Sequence, residues 1–307
     1  MRRDGALTRE GTMGAEIKSG LRYRMPVVFG PAPGPRQKAD GTPWTEQESG
    51  TMNAQWLAVS YLTQAAKLER LLPPGFRLRS DPIVTVNFAF FNNLYWLAGR
   101  GYGIVMVEFP VAYRGKVESI DGRFCPVMWE GQPDAIMTGR EELGFPKLFA
   151  DIPAIEGSVA SGAISGRASW FGHKFFEIEA QGLKPVDGAK GLPGAPGPQM
   201  FYKYMPRTSI GGREGADLAY VTTSLDPPGQ GRADSSIDFS KYRFKKWLGS
   251  GSLTWHRATF EQLPTTFHIV NGMADLDILN YVSAEIVEFS GPGIGVSVNH
   301  QRAIEPA

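Results

Sequence analysis

Cysteine is almost absent from this chain. The 307 residues include one cysteine, Cys125, so no intramolecular disulfide can form and no site built from several thiolates can hold a metal ion. A lone cysteine most often acts as a small buried apolar side chain, and we interpret Cys125 in that way. The composition fits a reducing compartment, and we predict a cytoplasmic protein.

Long apolar runs and an excess of one charge are also missing. No segment approaches the roughly 18 uninterrupted apolar residues of a membrane-spanning helix, and residues 1–20 contain no apolar run that resembles a signal-peptide core. The 32 basic side chains are balanced by 31 acidic ones, which gives a net charge of +1. We therefore expect neither a nucleic acid nor a membrane surface as partner.

Two common kinds of catalytic motif are lacking as well. The four histidines lie far apart in the sequence, and none has the spacing of a metal-ligand motif. Gly-x-Ser-x-Gly is absent, which removes the simplest serine-hydrolase design. We predict a protein without a metal ion or cofactor.

Glycine and proline, in contrast, are abundant. The 37 glycines and 23 prolines are spread along the chain, which shortens the elements between them and favours strands and turns over long helices. Residues 1–50 form a Pro/Gly-rich extended arm in this interpretation, because residues 25–36 contain four prolines and cannot be helical. Val27, Val28 and Phe29 indicate that this arm docks onto the body or onto a neighbouring subunit. Residues 51–307 are predicted to form one domain.

The rest of the chain reads as many short strands with one or two helices. Alternating β-branched and aromatic residues predict strands at Trp56–Tyr61, Ile83–Phe91 and Gly103–Tyr113, and a short helix is predicted at Thr63–Leu72. Further strands are predicted at Ala135–Thr138, Phe149–Ile155, Gly162–Phe171, Lys174–Ala180, Met200–Met205, Leu218–Thr223, Gly251–His256, Thr266–Val270 and Ile278–Phe289. This spacing predicts a mainly β (α+β) protein, an antiparallel barrel or sandwich with a few short helices.

One segment carries a candidate nucleophile. Residues 139–151 read Gly-Arg-Glu-Glu-Leu-Gly-Phe-Pro-Lys-Leu-Phe-Ala-Asp and place Lys147 between two apolar pairs. Apolar neighbours strip water from an ammonium group and favour the neutral amine, which can attack a ketone and form a Schiff base. The alternative is a lysine at a strand start that only packs its stem and keeps its charge in water.

This segment resembles the signature of the acetoacetate decarboxylase-like superfamily. The resemblance extends over roughly residues 54–290, through Trp56–Pro74, Ile83–Tyr113, Tyr204–Pro206 and Leu263–Phe289. It implies an antiparallel β cone or barrel, a buried Schiff-base lysine at Lys147, and a homo-oligomer (dimer-based, a tetramer or larger). The resemblance also implies that an apolar pocket or a neighbouring cation activates this lysine.

The chain departs from the family pattern at three positions. Family decarboxylases carry a second lysine directly after the Schiff-base lysine, where this chain has Leu148. The family's active-site glutamate aligns with Ile104 and its supporting arginine with Ala54. We therefore identify a divergent member that lacks the second active-site lysine.

Other side chains are candidates for the missing roles. Glu108 shares a strand face with Ile104 in the predicted strand, and a dry interior would favour its protonated form, as a general acid–base requires. A glutamate paired with an arginine is the alternative. Arg140 is a candidate clamp for a substrate carboxylate, or an ion-pair partner of a neighbouring glutamate. Further predicted substrate contacts are Glu141, Tyr95, Tyr102, Phe145 and Leu148.

Three functions follow, in order of preference. The first is a carbon–carbon lyase that forms a Schiff base with a small oxo acid and carries out aldolase–dehydratase or retro-aldol chemistry, because Leu148 no longer adds a positive charge beside Lys147. The second is decarboxylation of acetoacetate or a similar β-keto acid. The third is a non-catalytic barrel that binds a small molecule.

Overall fold

The computed structural model describes residues 17–188, 191–192, 197–208, 215–224, 238–294 and 301–304. The strands are β1 Thr51–Leu62, β2 Phe76–Leu78, β3 Ile83–Leu94, β4 Arg100–Arg114, β5 Ser119–Glu130, β6 Lys147–Phe149, β7 Glu156–Ser158, β8 Ala163–Trp170, β9 His173–Val186, β10 Gln199–Pro206, β11 Ala216–Ser224, β12 Arg243–Trp255, β13 Asn280–Pro292 and β14 Gln301–Ala303. The α-helices are α1 Glu46–Ser49, α2 Ala65–Glu69, α3 Pro133–Thr138 and α4 Phe267–Ala274. None of these helices is long and apolar enough to cross a membrane.

All described strands belong to one sheet. Its order is β14-β11-β10-β5-β4-β3-β1-β13-β12-β9-β8-β7, while β2 pairs with β4 and β6 pairs with β5. Pairing is antiparallel except where β5 meets β6 and β10. The prediction of a mainly β, largely antiparallel protein with a few short helices is confirmed.

The two faces of the sheet carry different cores. On β4, Val105, Val107 and Phe109 belong to the largest cluster of buried apolar side chains, which we call the main core. Ile104 and Met106 point to the opposite face, because successive side chains of a strand alternate. This second face also carries Lys147, and we call it the site face. The register Asn87↔Met106, Met106↔Met128 and Met128↔Lys147 connects four strands across it.

β5 is the longest of the described strands that the sequence pattern does not predict. It contains Gly122 and Pro126, and proline removes one hydrogen bond from the ladder. The register changes from Val107↔Val127 to Phe109↔Phe124, so two residues of β5 lie opposite Glu108 alone. This is a β-bulge, which is where a sheet tolerates proline.

Three predicted strands are wrong. Residues 135–138 belong to helix α3, which begins with Pro133 at its first position, where proline is favoured. Residues 267–270 belong to helix α4, whose Val270 and Met273 are buried at helical spacing. Only residue 149 of the predicted strand 149–155 is in a strand, and Asp151 makes an isolated bridge to Ser169.

The described part of the arm, residues 17–50, contacts the body mainly through charge. Glu142 is nearly buried and faces three arginines of the arm, at 3.7 Å from Arg22, 3.4 Å from Arg24 and 2.6 Å from Arg36. Arg24 also donates a hydrogen bond to the hydroxyl of Thr138. Burial lowers the pKa of Arg36, and the charge of the neighbouring Glu142 acts in the opposite direction.

The apolar residues of the arm do not provide this contact. Val28 is 69% exposed and Phe29 is 86% exposed, so neither docks onto the body of its own chain, and docking onto a neighbouring subunit stays a prediction. The arm is instead anchored by polar groups and by Trp44, which packs edge-on against Tyr95. The division into an arm and one domain stays a prediction.

Replacing Glu142 should release the arm. In Glu142→Gln, three arginines lose their counter-charge, and the loss of a partner in a buried ionic cluster costs on the order of 3 kcal/mol. We expect a lower free energy of unfolding in urea and faster tryptic cleavage after Arg22, Arg24 and Arg36. The control is Glu141→Gln at the neighbouring position, because Glu141 makes no ion pair within the described ranges. Equal cleavage of the two variants would contradict this assignment.

Candidate active site

Lys147 is the first residue of β6 and lies on the site face. The chain reaches it from α3 through a π-helical turn over Gly139–Leu143. Gly144 then adopts a left-handed φ of 84°, which glycine permits at low cost, and ends that turn. Parallel pairing with β5 places Lys147 beside Met128.

The amine of Lys147 has two polar partners. Its Nζ donates a hydrogen bond to the carbonyl oxygen of Ala135 at 3.1 Å and lies 2.8 Å from Oε1 of Glu130. The Lys147 side chain is 5% exposed and that of Glu130 is 1% exposed. The predicted burial of the amine is therefore observed, but the amine is paired with a carboxylate.

Glu130 is held in an environment that disfavours its charge. Burial raises the pKa of its carboxyl above the ordinary value, although the neighbouring Lys147 ammonium acts in the opposite direction. Its second oxygen, Oε2, is buried and has no hydrogen-bond partner among the described residues. Glu130 is therefore a carboxylate that can take up a proton and still has one oxygen free for another molecule.

Apolar side chains surround the pair. The ring centroid of Phe145 lies 5.0 Å from the Lys147 amine, and the Phe145 and Phe201 rings are 4.2 Å apart. Both rings belong to one buried cluster on the site face with Met106, Cys125, Met128 and Leu143. Cys125 is fully buried, and burial raises the pKa of its thiol, so it behaves as the small apolar side chain that was predicted.

Glycine at the start of the signature gives room for the lysine. A Cβ atom on Gly139 would lie 2.5 Å from Cδ of Lys147 and 2.7 Å from its Nζ. Arg140 follows, and its Nη1 donates a hydrogen bond to the backbone carbonyl of Lys147 at 2.9 Å. The beginning of the signature thus packs against the lysine near its end.

Glu108 lies on the site face, as predicted, but it does not contact the amine. Arg123 donates to one of its oxygens at 3.0 Å, and Gln199 donates to the other at 2.9 Å. Both oxygens are therefore occupied, which is the alternative considered for this residue. The carboxylate in contact with Lys147 is Glu130, which the sequence pattern did not single out.

The other predicted site residues separate into near and distant groups. Phe145 lies against the amine. Tyr102 lies two residues before Ile104, the residue paired with Glu130, and burial and the negative charge of Glu130 raise the pKa of its phenol. Arg140 is exposed and holds the lysine backbone, and the backbone oxygen of Glu141 accepts a hydrogen bond from Lys203 at 2.7 Å. The hydroxyl of Tyr95 donates to the carbonyl of Pro35 at 2.5 Å, so Tyr95 anchors the arm.

Leu148 and Ile104 stand at two of the positions where this chain departs from the family pattern, and the structure shows where each side chain lies. Leu148 follows Lys147 in β6 and packs against the main core, on the other face of the sheet. A cation at that position would not face the amine across the site. Ile104 is directly paired with Glu130, so the neighbouring strand supplies a carboxylate beside the place where the family glutamate aligns.

Trp56 and Asn87 form a polar contact on the site face that the sequence analysis did not predict. Trp56 donates from its indole nitrogen to Oδ1 of Asn87 at 2.8 Å, and both lie on the site face. Asn87 was within a predicted strand, and its polar side chain in an otherwise apolar run was the available signal. No three His, Cys, Asp or Glu side chains of the described residues are grouped as metal ligands.

Adding a methyl group at Gly139 should displace the amine. The Cβ of Gly139→Ala would overlap Lys147, and a misplacement of about 1 Å typically costs about 100-fold in rate. The rate at which borohydride traps an oxo-acid adduct on Lys147 should fall accordingly. Gly131→Ala is the matched control, since its nearest neighbour would lie 3.5 Å away in ordinary contact. An unchanged trapping rate in Gly139→Ala would show that the lysine does not need this space.

Known proteins share this fold. An acetoacetate decarboxylase from Legionella pneumophila subsp. pneumophila str. Philadelphia 1 superposes with a TM-score of 0.58 at 18% identity, over 84% of this chain and 88% of the other. The enduracididine biosynthesis enzyme MppR complexed with pyruvate gives a TM-score of 0.57 at 18% identity, over 83% and 90%. An acetoacetate decarboxylase-like enzyme from Sphingomonas wittichii RW1 gives 0.57 at 16% identity, over 84% and 93%.

Sequence comparison agrees. An acetoacetate decarboxylase from Clostridium botulinum (strain Eklund 17B / Type B) is 26% identical over 138 residues, which are 43% of this chain and 54% of that protein. The match thus spans about half the length of this curated relative. The family model described as acetoacetate decarboxylase (ADC) matches residues 25–292, most of the chain. The chain therefore belongs to the acetoacetate decarboxylase family.

Proposed function

We propose that the protein is a carbon–carbon lyase in which Lys147 forms a Schiff base with a small oxo acid. The observation that carries this proposal is the buried contact of 2.8 Å between the Lys147 amine and Glu130. A carboxylate at this distance keeps the amine protonated in the resting protein, so the ammonium must give up a proton before it can attack a ketone, and that proton needs an acceptor. Glu130 supplies that acceptor inside the protein.

Burial makes proton transfer within the pair accessible. In a medium of low dielectric constant, separated charges are poorly solvated, and the raised pKa of Glu130 reduces the difference between the ion pair and the neutral pair. A proton that moves from the ammonium to Oε1 leaves a free electron pair on Nζ. Glu130 is then the general base for Lys147 and, once protonated, the general acid.

The covalent steps balance with water as the only co-reactant. The amine adds to the ketone carbon of the oxo acid and forms a carbinolamine. Glu130 protonates its hydroxyl, water leaves, and an iminium ion remains. In a retro-aldol reaction, a base removes the proton of the β-hydroxyl, the carbon–carbon bond breaks, and its electrons move into the iminium as an aldehyde departs. The enamine is then protonated on carbon, and water hydrolyses the iminium to return the lysine and a shorter oxo acid.

Retro-aldol or aldolase–dehydratase chemistry is the preferred form of this activity. These reactions need repeated proton transfers beside the Schiff base, which the Lys147–Glu130 pair supports. The absence of a second lysine no longer supports the preference, because Leu148 faces the main core. MppR, whose fold this chain shares, has been captured with the condensation product of pyruvate and imidazole 4-carboxaldehyde.

Decarboxylation is the second candidate. Apolar surroundings favour loss of a carboxylate as neutral carbon dioxide, and the cluster around Phe145 and Phe201 is apolar. The curated relative is named acetoacetate decarboxylase. Carbon dioxide release from acetoacetate, compared with aldehyde release from a 4-hydroxy-2-oxo acid, distinguishes the two reactions.

A cytoplasmic location and assembly into a homo-oligomer stay predictions.

Reductive trapping tests the nucleophile. Incubation with pyruvate or acetoacetate and borohydride should attach one substrate-derived group to the peptide that contains Lys147. Lys147→Arg should abolish the adduct, because arginine retains a charge for Glu130 but does not condense with ketones. Mass spectrometry of the digested protein gives the site.

The matched control is Lys203→Arg. Lys203 is also a buried lysine, but its amine donates to the backbone oxygen of Glu141 and has no carboxylate partner within the described residues. This variant should keep the adduct on Lys147. If a panel of oxo acids leaves no adduct on the wild-type protein, the proposal fails and a non-catalytic binding barrel is the better interpretation.

The pH dependence of trapping tests Glu130. The pKa of Glu130 is raised, so on acidification its carboxylate becomes protonated at a pH above 4.5, the ordinary pKa of a glutamate. A protonated carboxyl cannot accept the proton of the amine. With cyanoborohydride as reductant, the trapping rate should fall as the pH is lowered through that raised pKa. Glu130→Gln should lose this acid limb and reduce the rate about 100-fold or more.

Glu108→Gln is the control for the pH profile. Glu108 is equally buried on the same sheet face, but its oxygens are bound by Arg123 and Gln199. The acid limb should persist in this variant if Glu130 is the base. Loss of the limb in Glu108→Gln, with its retention in Glu130→Gln, would reverse the assignment.

A further inference from the structure

A second unsatisfied polar atom lies on the site face, at a distance from the Lys147 amine. Nδ2 of Asn87 is buried and has no hydrogen-bond partner among the described residues, and the residue is only 1% exposed. Buried polar groups are nearly always hydrogen-bonded, so an exception calls for a reason. Its position on the face that carries the candidate nucleophile indicates a ligand.

Trp56 determines which way the amide of Asn87 points. An indole nitrogen can only donate, so the atom that receives its hydrogen bond at 2.8 Å must be the carbonyl oxygen of Asn87. The NH2 group is therefore on the other side of the amide. This orientation presents two uncharged N–H donors, and a complementary ligand must bring an acceptor.

The sheet register relates this donor to the nucleophile. Asn87, Met106, Met128 and Lys147 occupy one row across four neighbouring strands. Three strand spacings place the Cα atoms of Asn87 and Lys147 roughly 14 Å apart. The Lys147 amine contacts Glu130 of the neighbouring strand β5, which brings the nucleophile toward Asn87. Met106 and Met128 lie between them, and their flexible side chains can adapt to an apolar chain. The sulfur of Met106 accepts a hydrogen bond from Gln199 at 2.9 Å.

We propose that Asn87 binds an oxygen of the substrate at the end remote from the carbonyl carbon that Lys147 attacks. The preferred substrate is then a 2-oxo acid whose unbranched apolar middle lies over the methionines and whose far end carries a hydroxyl or carbonyl oxygen. This inference rests on the proposed Schiff-base function and adds a substrate class to it. Asn87 acts in specificity and does not take part in the proton transfers.

A pair of probes that differ by one oxygen tests this subsite. We would compare 2-oxopentanoate with 5-hydroxy-2-oxopentanoate and measure, for each, the concentration that gives half-maximal adduct on Lys147 in the presence of borohydride. The wild-type protein should prefer the hydroxylated probe about tenfold, the effect of one hydrogen bond to an otherwise unpaired buried group. Asn87→Leu should remove this preference, so that the two probes give the same half-maximal concentration, and a far-UV circular dichroism spectrum like that of the wild-type protein shows that the variant is folded.

Two further variants complete the test. Trp56→Phe keeps the Asn87 amide but removes the indole N–H that orients it, so the preference for the hydroxylated probe should decrease in this variant too. It provides a second test of the subsite that does not depend on the folding of Asn87→Leu. Thr85→Val is the matched control, because Thr85 lies two residues away on the same face and its hydroxyl is bonded to Ser60. This variant should keep the preference.

The outcomes separate the two proposals. A wild-type protein that traps both probes equally, or an Asn87→Leu variant that still prefers the hydroxylated one, overturns the subsite and leaves the Schiff-base function intact. If the wild-type protein traps pyruvate but neither of these probes, the subsite fails and the Schiff-base function stands. If no oxo acid of the panel is trapped, both proposals fail.

Discussion

The arrangement of the site depends on one buried ion pair. Removing an ammonium and a carboxylate from water is costly, and the pair is tolerated only if its geometry is good and the remaining polar atoms are bonded. The Ala135 carbonyl binds one further proton of the Lys147 amine, whereas Oε2 of Glu130 has no partner among the described residues. The helix α3, the bulged strand β5 and the glycine that begins the signature all contribute to holding these two side chains together.

That dependence explains what the sequence could and could not predict. β1, β3 and β4 were predictable, because alternation of apolar residues is a local property that survives without knowledge of the partner strands. Lys147 was predictable because its signature is contiguous. Glu130 was not, because it ends a strand interrupted by Pro126, whose bulge only becomes apparent once β4 is known to be its partner. The short apolar run in α3 gave no reliable choice between strand and helix.

The face of the sheet on which a side chain lies was also difficult to predict from the sequence. Whether Leu148 replaces a charge beside the amine depends on which face of the sheet it occupies, and neighbouring strand residues occupy opposite faces. The structure assigns Leu148 to the main core, so its apolar character is explained by packing. Glu108 illustrates the converse case, since the predicted face was correct but Arg123 and Gln199 already occupy its oxygens. A shared face is therefore necessary for a catalytic role but not sufficient.

The two ends of the proposed site, the Lys147–Glu130 pair and the Asn87 amide, differ in charge. In the proposed function a proton moves within the Lys147–Glu130 pair, and a second charged group beside the pair would shift that equilibrium. A neutral amide such as that of Asn87 can bind a substrate oxygen without adding charge to the site face, and its orientation is set by an indole that donates its hydrogen bond. The uncharged donor is thus suited to recognition because it leaves the proton equilibrium of the buried pair undisturbed.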